Sequence, residues 1–259
     1  SALVSASYTR KKLKNIILKI NYAKFLDKSI FNKFKITSHV NKIIGLLKDK
    51  GIYSGDPIEG YIEELLKKKG KVKFRDVSRN GKSYLKIIAS DITKGDMLIL
   101  PDDLILYDID PLDFSIAKAV RMSISIPLFF KPVKLKHKTG MSLIVDGGIL
   151  SNYPIWIFDG QGEPKRPTIG LKLIEDNQSL TSKGKTDLIS FIIDIVSAML
   201  NKNEEIYVKH KDWIRTIGIP TLGVKGTEFD KISTMGLKLF ESGYKSAEKF
   251  LKDYPYHFI

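Results

Sequence analysis

"SLIVDGGILSNYP", residues 142–154, is a short apolar run that stops on an acid, Asp146, and then turns through Gly147 and Gly148. Leu143, Ile144 and Val145 favour a strand, and a carboxylate that ends a strand lies at the sheet edge where α/β proteins bind ligands. Two glycines after it admit positive φ and close backbone approach, so a substrate or a neighbouring loop can sit against the acid. An aspartate that only closes a turn by hydrogen-bonding its own backbone has the same local grammar. The residues on either side must separate the two readings.

Upstream, "RKKLKNIILKI" (10–20) places Leu13, Ile16, Ile17 and Ile20 at helical spacing among lysines, a basic amphipathic pattern that suits either a protein core or a membrane surface. A second helix is expected over 39–51, stopped by Gly51. A third is expected over 55–70, with Asp56 as N-cap, Pro57 first in the helix and Glu59 completing a capping box. "KSYLKIIASDI" and "DMLILP" read as two strands joined by a turn at Lys94-Gly95, and "DPLDFSIAKAVRMSISIP" (110–127) as a helix begun near Asp110-Pro111. Downstream, strands are expected in "PTIGLKLIE" (167–175) and "IRTIGIPTLGV" (214–224). Helices are expected over 187–203 and 231–252, with a polar loop over 176–186. Strands alternating with helices predict an α/β fold, a largely parallel central sheet flanked by helices, in one domain spanning 1–259.

Composition narrows the function. At 259 residues and 43% hydrophobic the chain can bury a sizeable core. The longest apolar stretch, 188–200, is too short to span a bilayer and is broken by Asp194. The absence of cysteine excludes disulfides and thiolate metal sites. His39, His137, His210 and His257 are scattered, so neither a three-histidine metal site nor a Ser-His-Asp triad is expected, and no cofactor motif occurs. A formal charge of +14 attracts polyanions, either nucleic acid or an anionic membrane surface, although lysine is spread along the whole chain. Without aromatic-basic interleaving or a recognition module, nucleic acid is not expected as a partner.

Two ordered motifs then weigh against the turn-only reading of Asp146. "AVRMSISIP" (119–127) followed by "DGGILSNYP" (146–154) resembles the patatin-like phospholipase family in its bacterial branch, a fold related to the cytosolic phospholipase A2 catalytic domain. Ala119, Val120, Arg121, Ser123, Ser125, Ile126 and Pro127 fit the family's first motif, with Met122 where alanine is usual. Asp146, Gly147, Gly148, Asn152 and Pro154 fit the second. "KIIASDITKGDMLIL" and "RTIGIPTLGVKGTEFD" are also similar to family segments, so the resemblance covers nearly the whole chain.

The resemblance implies lipid or phospholipid ester hydrolysis by a Ser-Asp dyad. A serine in a G-x-S-x-G turn attacks the acyl carbonyl, a glycine-rich loop holds the oxyanion, and Asp146 takes the serine proton as general base. Gly147, Gly148, Arg121 and Asn152 are the implied substrate- or loop-positioning residues. Arg121 either faces a phosphate or carboxylate of the substrate or braces the Asp146 loop by an ion pair. Phe129, Phe130 and Trp156 are candidates for an acyl pocket or plain core, and Asp91 is a second strand-end acid without following glycines. No G-x-S-x-G occurs in the 259 residues. "SALVSASYT" resembles the helix leaving the nucleophile turn, so the serine and oxyanion loop are expected upstream of Ser1, with Ser1 and Ser5 as ordinary helix residues. The implied partners are a lipid ester and, peripherally, an anionic membrane surface. The implied location is cytoplasmic or peripheral to a membrane, with secretion left open. A protein of the same fold that binds lipid without catalysis is the competing reading.

Overall fold

The computed structural model describes residues 1–26, 50–151, 153–159, 167–174 and 210–253. They belong to two compact units, Ser1–Ser151 and Asn152–Ile259, taken here in turn.

The first unit begins with α1 (Ala2–Ser5) and α2 (Arg10–Lys19), followed by a 3-10 turn at Tyr22–Phe25. Then come β1 (Gly51–Tyr53), α3 (Asp56–Lys67), and the hairpin β2 (Ser78–Arg79) and β3 (Lys82–Ser83). The hairpin is turned by Asn80 and Gly81, both at positive φ as a two-residue hairpin loop requires. β4 (Ile87–Asp91), β5 (Asp96–Leu100), a 3-10 segment Asp102–Tyr107, α4 (Ile116–Ser123), β6 (Leu128–Phe130), β7 (Val133–His137) and β8 (Gly140–Asp146) complete it.

β5, β4, β8 and β7 form a sheet in that order, with every neighbouring pair antiparallel. Ile87, Ala89 and Asp91 share one face of β4, and the opposed residues Ile144 and Asp146 of β8 share it with them. This face carries the core: Ala89, Leu98, Leu100 and Ile144 are buried with Ile116, Ala119 and Met122 of α4. Alanine at 89, 117 and 119 is what lets helix and sheet backbones approach closely.

The expected largely parallel sheet is therefore visible only in part. Among the described residues parallel pairing is confined to β1 with β6 and, in the second unit, to β9 (Gly170–Ile174) with β10 (Thr216–Pro220). The reason lies in the connections. Only Ile92–Gly95 join β4 to β5, and only Lys138 and Thr139 join β7 to β8. Such links close hairpins and are too short for the crossover that parallel neighbours need.

Two helix starts also differ from expectation. α4 begins after Ser115, whose Oγ accepts the Lys118 N–H at 3.3 Å. Asp110 instead folds back on its own chain, accepting Leu112 N–H at 2.9 Å, and Asp113 is drawn to Lys73 at 2.7 Å. α3 is capped by Gly55 at φ +76, not by Asp56, which is already helical and accompanies Pro57 in the first turn.

The second unit holds a 3-10 turn at Ile155–Phe158, β9, α5 (His210–Trp213), β10 and the long α6 (Phe229–Asp253). Arg215 clamps Asp159 and Asp212 at 2.6 Å each, and Ser242 of α6 donates to Pro220 O at 2.8 Å. Most of the helix expected over 39–51, and all of the loop over 176–186 and the helix over 187–203, lie outside the described residues.

Candidate active site around Asp146

Asp146 closes β8 opposite Ala89, and its backbone N–H donates to Ser125 O at 3.0 Å. Its Oδ1 accepts the Gly148 N–H at 2.7 Å, and a 3-10 turn, Gly147–Ile149, carries the chain away. The carboxylate is only partly exposed. Burial pushes its pKa up to about 6, and the single backbone hydrogen bond from Gly148 opposes that rise only weakly. A carboxyl so placed is ionised near neutrality yet basic enough to take a proton from a hydroxyl.

Neither Gly147 nor Gly148 adopts the positive φ that the sequence suggested. Close approach is what matters: a Cβ on Gly147 would lie 2.5 Å from Ile88 O. The turn is pressed against β4, where Ser90 Oγ reaches Gly147 O at 3.4 Å.

Arg121 sits in the last turn of α4 and is 2% exposed. Its guanidinium donates to Ser54 O, to Lys131 O at 2.7 Å and to Ser125 Oγ, while the Ser125 hydroxyl donates back to Arg121 O at 2.6 Å. Phe130 lies under it at 5.6 Å. A Cβ on Gly55 would meet Arg121 Nε at 2.4 Å, so only glycine fits beside it. Among the described residues, Arg121 braces this region through two carbonyls and a hydroxyl, where the sequence left open a substrate anion or an ion pair as its partner. The brace ends on Ser125, the residue whose carbonyl receives the Asp146 N–H.

The other candidates separate clearly. Asp91 is fully buried; burial alone would raise its pKa, but hydrogen bonds from Ser142, Tyr107, Thr93 and Lys94 outweigh that and hold it below the usual range. Tyr107 Oη donates to it at 2.7 Å. With its hydrogen bonds supplied and its acidity strengthened, Asp91 reads as a structural acid. Phe130 is core, packed on Phe129 at 4.8 Å, and Phe129 in turn lies 5.0 Å from Tyr53. Trp156 belongs to the second unit and is half exposed. Ser5 Oγ donates to Ala2 O at 2.8 Å, spending its proton inside α1. His137 contacts Thr139 and Ser142 at 2.8 and 3.2 Å, on the Asp91 side of the sheet network. Asn152 lies outside the described residues. Among the described residues no group of three or more His, Asp or Glu side chains is placed to hold a metal.

Sequence reasoning missed the parts supplied by main chain. Nothing in "YSG" announces that the Ser54 carbonyl holds Arg121, and Ser125 and Ser90 were legible only as motif or strand residues.

Comparison with known proteins agrees with this arrangement at the level of family. The model of the patatin-like phospholipases matches residues 1–159, which contain Arg121, Ser125 and the Asp146 turn. The uncharacterized protein YqhO of Bacillus subtilis (strain 168) is 36% identical over 257 residues, covering 99% of this chain and 85% of that protein. The uncharacterized protein R571 of Acanthamoeba polyphaga mimivirus is 25% identical over 256 residues, covering 96% of this chain and 78% of its own. The chain belongs to the patatin-like phospholipase family.

Proposed function

We propose that the protein is a serine carboxylic ester hydrolase acting on lipid or phospholipid esters, with Asp146 as its general base. Family membership supports lipid ester hydrolysis. The observation that carries the finer assignment is the state of Asp146: a desolvated carboxyl at a strand end, with pKa near 6 and one weakly opposing hydrogen bond.

The step is proton transfer. Asp146 takes the proton of a serine hydroxyl as that oxygen bonds to the acyl carbon, then returns it to the departing alkoxide. Water, deprotonated in the same way, cleaves the acyl-enzyme and releases the fatty acid. Backbone N–H donors aimed at the carbonyl oxygen typically contribute a few kcal/mol in such reactions. The serine is assigned to a G-x-S-x-G turn outside these 259 residues, none of which forms that motif. Arg121, through Ser125, and Gly147, against Ile88, fix where the carboxyl stands.

The test uses the full-length chain, including whatever its gene encodes before Ser1, assayed on aryl esters and phospholipids. Asp146→Asn should lower kcat by about 10²–10⁴-fold, the usual range for loss of a positioned base. Unchanged turnover in that variant would refute the dyad. A full-length chain with no G-x-S-x-G and no turnover would instead establish the lipid-binding, non-catalytic reading.

A further inference from the structure

We propose that α2 is a docking surface for anionic lipid bilayers, with Ile17 and Leu18 entering the headgroup region between flanking lysines. This goes beyond the hydrolase reading, because docking requires no catalysis.

The argument starts from burial. None of the ten residues of α2 is buried. Among the described residues, side-chain contacts tie its two flanks to α3. Before it, Tyr8 Oη donates to Leu65 O at 2.8 Å. After it, Phe25 is buried and meets the ring of Tyr61 at 5.6 Å. Leu65 and Tyr61 both belong to α3, so α2 is strapped to the unit by its flanks while its own side chains stay out of the core.

Its surface has a specific composition. Between Ser1 and Leu26 the chain carries Arg10, Lys11, Lys12, Lys14, Lys19 and Lys24 and not one acid. Leu13, Ile16 and Ile20 lie along one side and are half-buried. Leu18 lies across the helix from them, one turn beyond Lys14 and two beyond Lys11, and is 40% exposed; Ile17 is 48% exposed. Lys11 is exposed on the Leu18 side, whereas Lys12 and Lys19 are exposed further round the helix.

Charge alone would suit any polyanion, but the exposed pair selects among them. A phosphodiester backbone gives Ile17 and Leu18 nothing to bury against. A bilayer surface offers anionic headgroups to the lysines and an apolar layer just beneath for the two side chains. Each lysine at an anionic membrane surface contributes about 1 kcal/mol, a factor of roughly five in partitioning.

The experiment is flotation with vesicles of phosphatidylcholine alone and of phosphatidylcholine containing phosphatidylserine. The protein should float only with the anionic vesicles, and Lys11→Gln should weaken partitioning roughly fivefold. Because the chain has no cysteine, Leu18→Cys gives a unique attachment point for an environment-sensitive dye. Its emission should rise on anionic vesicles, while the same dye at Lys82→Cys, the exposed residue of β3, should not respond. Asp146→Asn should bind the vesicles as the native chain does, so a failed catalytic assignment leaves this result readable. Absent flotation, undiminished binding by Lys11→Gln, or equal dye response at both sites would overturn the proposal. So would binding of duplex DNA in place of vesicles that Lys11→Gln weakens.

Discussion

Replacing Asp146 by Asn should make the protein more stable at neutral pH, by an amount the site itself sets. An aspartate has a reference pKa of 3.8, and burial raises that of Asp146 to about 6 in the folded state. Each pKa unit is worth 1.36 kcal/mol of differential stability, so holding this carboxylate charged costs the fold roughly 3 kcal/mol. The sign follows from proton uptake. Below about pH 4 both states carry the proton and the cost is absent. Between about pH 4 and 6 the folded state keeps a proton that the unfolded state has lost, so stability falls as pH rises; above about 6 the full cost applies. Asparagine has nearly the same shape, carries no charge at any of these pH values, and its amide oxygen can accept the Gly148 N–H. Urea unfolding of both forms, followed by far-UV circular dichroism from pH 4 to 7.5, reads the difference directly. The midpoint of the Asn variant should exceed that of the native chain by about 1 M at pH 7.5, and the two should converge near pH 4. An Asn variant no more stable at pH 7.5, or a gap that does not change with pH, would refute the claim that burial raises this carboxyl.

Other perturbations test the surroundings. The rate at low ester concentration should fall tenfold per pH unit below an apparent pKa of about 6, because the base is lost on protonation; a pH–rate profile flat down to pH 5 would contradict this. Gly147→Ala drives a methyl into the Ile88 carbonyl. It should cost about 1–3 kcal/mol of stability and reduce kcat more than KM, measured by urea titration and steady-state kinetics. Arg121→Lys keeps the charge but cannot reach Ser54 O, Lys131 O and Ser125 Oγ together. A loss of about 2–4 kcal/mol is expected in the same titration. Tyr107→Phe removes the donor that helps keep Asp91 ionised. It should destabilise the chain by about 1–3 kcal/mol at pH 7 while leaving the pH–rate profile unmoved, separating the structural acid from the catalytic candidate.

The sequence was most legible where one residue's chemistry forces a local outcome. Val145-Asp146-Gly147 could be read as a strand end and a tight turn, because β-propensity, a polar stop and a missing Cβ act within three residues. "DMLIL" and "GLKLI" are short, mostly apolar runs flanked by turn residues or polar loop sequence, which is enough to place them as strands. What could not be read is set by distant partners. The antiparallel sheet depends on β7, whose "VKLKH" sits between Pro132 and the two-residue turn Lys138-Thr139, with little around it to mark a strand. "SRNGKS" carried a strong hairpin signal in Asn80-Gly81, obscured by strands only two residues long. The true start of α4 was hidden because Asp110-Pro111 mimics a helix start, while Ser115 wins once Asp113 is engaged by Lys73 and Arg75. Arg121 was recognised as important, but its partners are carbonyls of residues 54 and 131, and a carbonyl leaves no trace in residue identity.

The seam between β4 and β8 joins the assembly of the sheet to the acidity of the site. β4–β5 and β7–β8 are hairpins of neighbouring residues, whereas Asp91 opposite Ile144, the innermost β4–β8 pair, closes a loop through all of residues 92–143. Closure of long loops is the slow, entropically costly part of folding. Until it happens, the Asp146 carboxyl is at the open, solvated end of the β7–β8 hairpin and has an ordinary acidity. The proton affinity of Asp146 is therefore a built-in reporter of that long-range closure, and a nuclear magnetic resonance titration of this one carboxyl would follow the final docking of the two hairpins.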